Sequence, residues 1–126
     1  MLALAFAVQV LAENQGMAAW MPTHGPDAGA ATVFLLAAAV GLATGSSWLT
    51  MALCLPLLGG MGAPPLSLAA AVSGAVLGDH AAPHSDTTIL SAGAFGLSPL
   101  EHAVHQSGWV LLAGLASLLG FAWLGL

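Results

Sequence analysis

The sequence contains no lysine or arginine, and its only charged side chains at neutral pH are five acids, for a net charge of −5. A chain without basic residues cannot hold nucleic acid or anionic lipid headgroups by charge, so those partners are excluded. Membrane orientation is normally read from basic residues in short loops, so this sequence does not predict its own sidedness. A single cysteine, Cys54, excludes a disulfide framework and a CxxC metal motif, and we interpret it as a packing residue.

Apolar residues dominate what remains. The 126 residues are 59% hydrophobic and 4% charged, with a mean hydropathy of +0.96, whereas about a quarter of the residues in a soluble domain are charged. Crossing a bilayer core takes about 20 helical residues at 1.5 Å each. The runs at 1–21 and 107–125 meet that length, so each is predicted to cross the membrane, with Trp109 and Trp123 near the ends of the second.

The middle apolar runs are too short to cross alone. Residues 66–78 and 86–96 together have the length of one crossing, which predicts a discontinuous helix over 66–96. The residues between 28–43 and 47–59 form too tight and too apolar a turn for an aqueous loop, which predicts a re-entrant hairpin over 28–59. Non-helical backbone at membrane depth must face protein or a water-filled cavity, so we expect the two breaks to face each other.

The break between residues 66–78 and 86–96 lies in "GDHAAPHSDTTILS", Gly78 to Ser91. A charge in a lipid-facing helix costs about 2.5–3.5 kcal/mol, so Asp79 and Asp86 should face a cavity, a cation or a proton. In the alternative interpretation, one aspartate lies in a surface loop and Ser85 or Asp86 only caps the second half-helix. Carboxylates, hydroxyls and freed carbonyls suit Na⁺ or H⁺, and the candidate ligands are Asp79, Ser85, Asp86, Thr87 and Thr88.

A buried carboxylate can bind either a proton or Na⁺, because desolvation favours its neutral form and a bound cation favours its charged form. Competition of this kind is the basis of antiport, and we place Na⁺ at Asp79 and Asp86. Histidine also titrates near neutral pH, which makes His80, His84 and His102 candidates for proton binding. A zinc site at His102, His105 and Glu101 is a weaker alternative, because it lacks a fourth ligand.

Three stretches carry a family resemblance: "ATGSSWLTMALCLPL", "SGAVLGDHAAPHSDTTILS" and "LEHAVHQ". In order and spacing they resemble the NhaC-type Na⁺/H⁺ antiporters of the ion transporter superfamily. The resemblance implies an inverted-repeat fold, in which each repeat holds a re-entrant hairpin and a discontinuous helix. It also implies that the site adds Thr44, Ser46 and Ser47, at the hairpin tip, to the ligands above. The chain departs from the family pattern at Leu49, His84 and Val104.

These observations predict an all-α membrane protein, a single domain over residues 1–126 that forms one half of an inverted-repeat transporter. We expect it to be a C-terminal segment that exchanges Na⁺ or Li⁺ for H⁺, completed by a second repeat or a partner chain. The expected location is the cell membrane, as a multi-pass protein of a prokaryotic inner or plasma membrane. No enzyme motif is found, and no cofactor is expected beyond the transported Na⁺ and H⁺. Two alternatives stay open: Na⁺/H⁺-coupled antiport of a small organic acid or amino acid, and a non-transporting membrane subunit.

Overall fold

A computed structural model describes residue 10 and residues 29–125, and that part of the chain is helical with no strand. The all-α prediction is confirmed there, while the predicted crossing at 1–21 lies outside the described residues. The helices are α1 (Ala30–Thr44), α2 (Ser47–Gly60), α3 (Pro65–Ala81), α4 (Asp86–Phe95) and α5 (Pro99–Leu124).

Local sequence signals set the helix ends. Gly45 ends α1 in the left-handed conformation at φ 61°, a region that glycine adopts without steric cost. The Ser46 side chain then accepts a hydrogen bond from the Leu49 amide at 3.3 Å and caps α2. At α5, Ser98 and Glu101 form a reciprocal capping box, with Pro99 at the first helical position.

Helices α1 and α3 pack in parallel, backbone against backbone. A Cβ added to Gly74 would collide with the Phe34 carbonyl, and one added to Gly78 would collide with the Ala38 carbonyl. From the first contact to the second, the residue number rises by four on both helices, so α1 and α3 run in the same direction. Small residues permit this approach, as they do between membrane helices generally.

Helix α5 runs antiparallel to this pair. Near its end, Leu118 and Phe121 pack against the buried cluster of Ala30, Phe34 and Ala70, and the Phe34 and Phe121 ring centroids lie 5.6 Å apart. Near its beginning, the Gln106 side chain contacts the end of α3 at His80. The end of α3, and with it the end of α1, therefore lies level with Gln106, about 10 Å along α5 from its start at Pro99.

Among the described residues, α5 is the one helix long and apolar enough to span a membrane, with 26 residues. It begins at Pro99, eight residues before the predicted start at 107, because the capping box starts the helix there. Helix α3 also runs further than predicted and ends at Ala81 instead of residue 78. Asp79 and His80 therefore lie in its last turn, and the break covers only residues 82–85.

Candidate functional site

The two helix breaks are in contact. A Cβ added to Gly45 would lie 2.6 Å from Cδ2 of His84 and 3.4 Å from its carbonyl oxygen. The prediction that the breaks face each other is thus confirmed. The ends of α1 and α3 bring carbonyl groups without helical partners to this place, and the beginnings of α2 and α4 bring free amides.

Hydroxyl groups line the side of this contact that lies between α1 and α2. Thr44 Oγ1 lies 3.1 Å from Thr50 Oγ1, and Thr50 donates to the Ser46 carbonyl at 2.9 Å. Thr50 is fully buried, while Thr44, Ser46 and Ser47 are half-buried. The predicted residues Thr44 and Ser46 are thus brought together, and Ser47 follows as the first residue of α2. Sequence reasoning missed Thr50, although its position four residues after Ser46, in the first turn of α2, was a usable signal.

The opposite side holds a carboxylate in a chain of hydroxyls. Asp79 is only 3% exposed, and Thr87 donates to its Oδ2 atom at 3.4 Å. Thr87 Oγ1 lies 2.7 Å from Ser85 Oγ, and Ser85 is fully buried. Ser85 also accepts a hydrogen bond from the Thr88 amide at 3.5 Å, which confirms that it caps the second half-helix.

On this side, one hydroxyl lacks the hydrogen-bond partner that burial normally requires, and one carboxyl group lacks a basic side chain to pair with. The Thr88 hydroxyl is buried and has no hydrogen-bond partner within the described residues, and buried polar atoms are rarely left unpaired. The Asp79 carboxylate is buried in a chain without lysine or arginine. A buried carboxylate charge is costly unless it is paired, and the chain offers no lysine or arginine to pair with it.

The second aspartate has a different environment. Asp86 is exposed as the first residue of α4, where its negative charge suits the positive end of the helix dipole. The structure thus groups the buried residues Asp79, Ser85 and Thr88 with the exposed Thr87, and the exposed Asp86 lies beside them.

The histidines fall in two places. His80 and His84 are both exposed; His84 touches Gly45 between α1 and α2, and the Nδ1 atom of His80 lies 2.9 Å from the Val76 carbonyl. His102 lies in the first turn of α5, where Glu101 is occupied by the capping box. Over residues 29–125 no group of three or more histidine, cysteine or acidic side chains is placed to hold a metal ion, so the zinc alternative lacks a ligand group.

Gln106 is a further residue that sequence reasoning missed. Its Nε2 atom donates to the carbonyl of His80, across from α5 to the end of α3. The signal was present, since an amide in an apolar helix needs a partner on a neighbouring helix.

Comparison with known proteins identifies the family. Residues 4–126 match the Na⁺/H⁺ antiporter family. An uncharacterized protein of Haemophilus influenzae is 36% identical over 99 residues, which cover 74% of this chain and 19% of that protein. The arginine/ornithine antiporter ArcD of Halobacterium salinarum is 38% identical over 97 residues, covering 73% of this chain and 20% of ArcD. No solved structure matches the chain significantly.

The chain therefore belongs to the Na⁺/H⁺ antiporter family, which is a family of transporters and not of enzymes. It spans about a fifth of the length of the curated relatives it matches.

Proposed function

We propose that this member of the Na⁺/H⁺ antiporter family is of the NhaC type and exchanges Na⁺ or Li⁺ for H⁺ at the contact between its two helix breaks. The observation that carries the proposal is the buried Asp79 carboxylate, which has hydroxyl neighbours and no basic residue to pair with. Oxygen ligands of this kind suit a hard monovalent cation.

In this proposal, Asp79 supplies the negative charge of the site. Thr87, Ser85 and the unpaired Thr88 hydroxyl supply neutral oxygens on the same side. Thr44, Ser46 and Ser47 face them from the hairpin tip. The transported cation and the proton would compete for this one carboxylate. Asp86, at the outer edge, attracts cations toward the site.

The proposed architecture places α1 and α2 in the membrane as a re-entrant hairpin. Helix α1 begins beside the end of α5 and covers about 22 Å before it breaks at Gly45. Since α1 and α3 are parallel, α2 must return to the side from which α1 started before α3 can begin. Both breaks would then lie within the depth of the span formed by α5. A second repeat, from the same protein or from a partner chain, would complete the site.

A second candidate function is antiport of a cationic amino acid. The observation that favours it is the identity of 38% with a protein named as an arginine/ornithine antiporter. A buried carboxylate without a basic partner can pair with a substrate ammonium or guanidinium group as well as with Na⁺. The two candidates use the same carboxylate and differ in the ion that it binds.

Transport in proteoliposomes distinguishes the candidates. A complete, transport-competent assembly that contains this chain should exchange ²²Na⁺ for protons, and Asp79→Asn should abolish that exchange because the amide carries no charge. Asp86→Asn should also abolish Na⁺-dependent proton flux while membrane insertion stays intact, if Asp86 contributes charge to the site.

Ser107→Ala is the matched control, since Ser107 bonds only to the Val104 carbonyl within α5. Wild-type flux in Asp79→Asn would contradict the proposed site, and wild-type flux in Asp86→Asn would remove Asp86 from it. Uptake of radiolabelled arginine without ²²Na⁺ exchange would replace the Na⁺/H⁺ proposal with the second candidate.

A further inference from the structure

A hydrogen bond bridges the two ends of the segment that contains the second break. Gln106 on α5 donates to the carbonyl of His80, 26 residues earlier in the chain. Between these two residues lie the break at 82–85, all of α4 and the three-residue connection to α5. The bond therefore joins the end of α3, just before the break, directly to α5, which follows the break and α4 in the chain.

The position of the acceptor explains why an amide is needed. His80 lies in the last turn of α3, where carbonyl groups have no amide partner further along the helix. In an apolar environment such a carbonyl must be satisfied by another group. The residue immediately before His80 is Asp79, so whatever holds this carbonyl also holds the backbone that carries the buried carboxylate.

We propose that Gln106 is a positioning residue, whose amide fixes the end of α3 against α5 and thereby sets where Asp79 stands relative to Ser85 and Thr87. This role rests on the proposed function, because Asp79 matters to transport only if it binds the transported cation. Gln106 itself does not need to touch that cation.

A labelling experiment tests the positioning role without any transport measurement. Ser85→Cys in a Cys54→Ala background places a nearly isosteric thiol at a fully buried position in the break. In the reconstituted chain, this thiol should react slowly with a small methanethiosulfonate. Adding Gln106→Met, which keeps the side-chain length and removes the donor, should raise the rate several-fold because the break opens more often.

Two further variants separate positioning from general damage. Gln106→His keeps an N–H at a similar reach and should restore the slow rate, whereas Ser107→Ala should leave the rate unchanged. If Gln106→Met fails to insert, Gln106→Asn shortens the donor by one methylene while keeping its polarity, and it should also accelerate labelling. The proposal would be overturned if Gln106→Met, or Gln106→Asn where Gln106→Met does not insert, were labelled at the same rate as the parent.

Transport kinetics then link the bond to the cation site. In a transport-competent assembly, Gln106→Met should raise the KM for the transported cation several-fold and change kcat much less, because a displaced Asp79 weakens ion binding. An unchanged KM would overturn the link to Asp79. If the wild type exchanged no Na⁺, the proposed function would be overturned. The positioning role of Gln106 would stand, because the labelling rate is measured without transport.

Discussion

At the scale of single residues, the most demanding positions are the glycines between α1 and α3. Gly78 lies so close to the other helix that an added Cβ would meet the Ala38 carbonyl and, at 2.5 Å, the Leu42 amide nitrogen. Both are backbone atoms, so no rotamer change can relieve the contact. By contrast, Gly93 on α4 has no neighbouring atom within 4 Å of an added Cβ. Composition alone cannot tell these two glycines apart.

We expect Gly78→Ala to lower the free energy of unfolding by about 1–3 kcal/mol, because an extra methyl group forces two packed backbones apart. Gly93→Ala is the matched control and should be neutral or stabilise by up to about 1 kcal/mol, since alanine is the better helix former. Unfolding of the purified chain in mild detergent, followed by circular dichroism, measures both. Equal effects of the two substitutions would show that α1 and α3 do not pack at Gly78.

At the scale of helices, the sequence predicted which segments break, and it offered Ser85 or Asp86 as the cap of the helix after the second break. Ser85 caps α4 as expected, because a hydroxyl before a run of helix formers can accept the free amides. The boundaries were less accurate. Helix α3 continues through Asp79 to Ala81 because a polar side chain does not by itself end a helix. Asp79 is buried there by the neighbouring residues. Helix α5 begins at Pro99, because Ser98 and Glu101 have the spacing of a capping box and form one there.

The contact between the two breaks has its own prediction. Gly45→Ala should be destabilising for two reasons, a left-handed backbone that costs about 1–2 kcal/mol for other residues and a collision with the His84 ring. In a His84→Ala background only the backbone cost remains, so the loss of unfolding free energy should be smaller. A double-mutant cycle by thermal or detergent unfolding measures the difference.

Gly96→Ala is the matched control for that cycle. Gly96 also has a positive φ, of 67°, but no atom lies within 4 Å of its added Cβ. Its substitution should cost the same with and without His84→Ala. If Gly45→Ala behaves like Gly96→Ala, the two breaks are not in contact.

At the scale of the whole molecule, the sequence could predict that the breaks meet, since unpaired backbone needs a shared polar site. It could not predict how they meet, because that depends on α1 and α3 packing in parallel through particular glycines. Nor could it predict that Asp79 is buried and Asp86 exposed, since both lie in one polar stretch. The sequence indicates that Gln106 needs a partner but not which one, because that partner is a backbone carbonyl 26 residues away.

The last prediction concerns the placement of the bundle in the membrane. Leu66 packs on the cluster that contains Phe34 and borders Phe121, so Pro64 lies near the end of α5, while Pro99 begins that helix. About 33 Å of helix separates Pro99 from Phe121 at 1.5 Å per residue, which is close to the thickness of a bilayer core of about 30 Å. Single cysteines introduced by Pro64→Cys and Pro99→Cys, with Cys54→Ala, should therefore react with an impermeant thiol reagent from opposite sides.

Cysteines at the two breaks complete the test. In a transport-competent assembly, Ser46→Cys and His84→Cys should react more slowly than either surface position, because the proposed architecture holds both breaks inside the membrane. Na⁺ should slow them further, since a cation bound between the breaks restricts access to both. Fast labelling of His84→Cys that Na⁺ does not change would mean that residues 82–85 form a surface loop in water. Labelling of Pro64→Cys and Pro99→Cys from the same side would exclude α3 and α4 as one broken crossing.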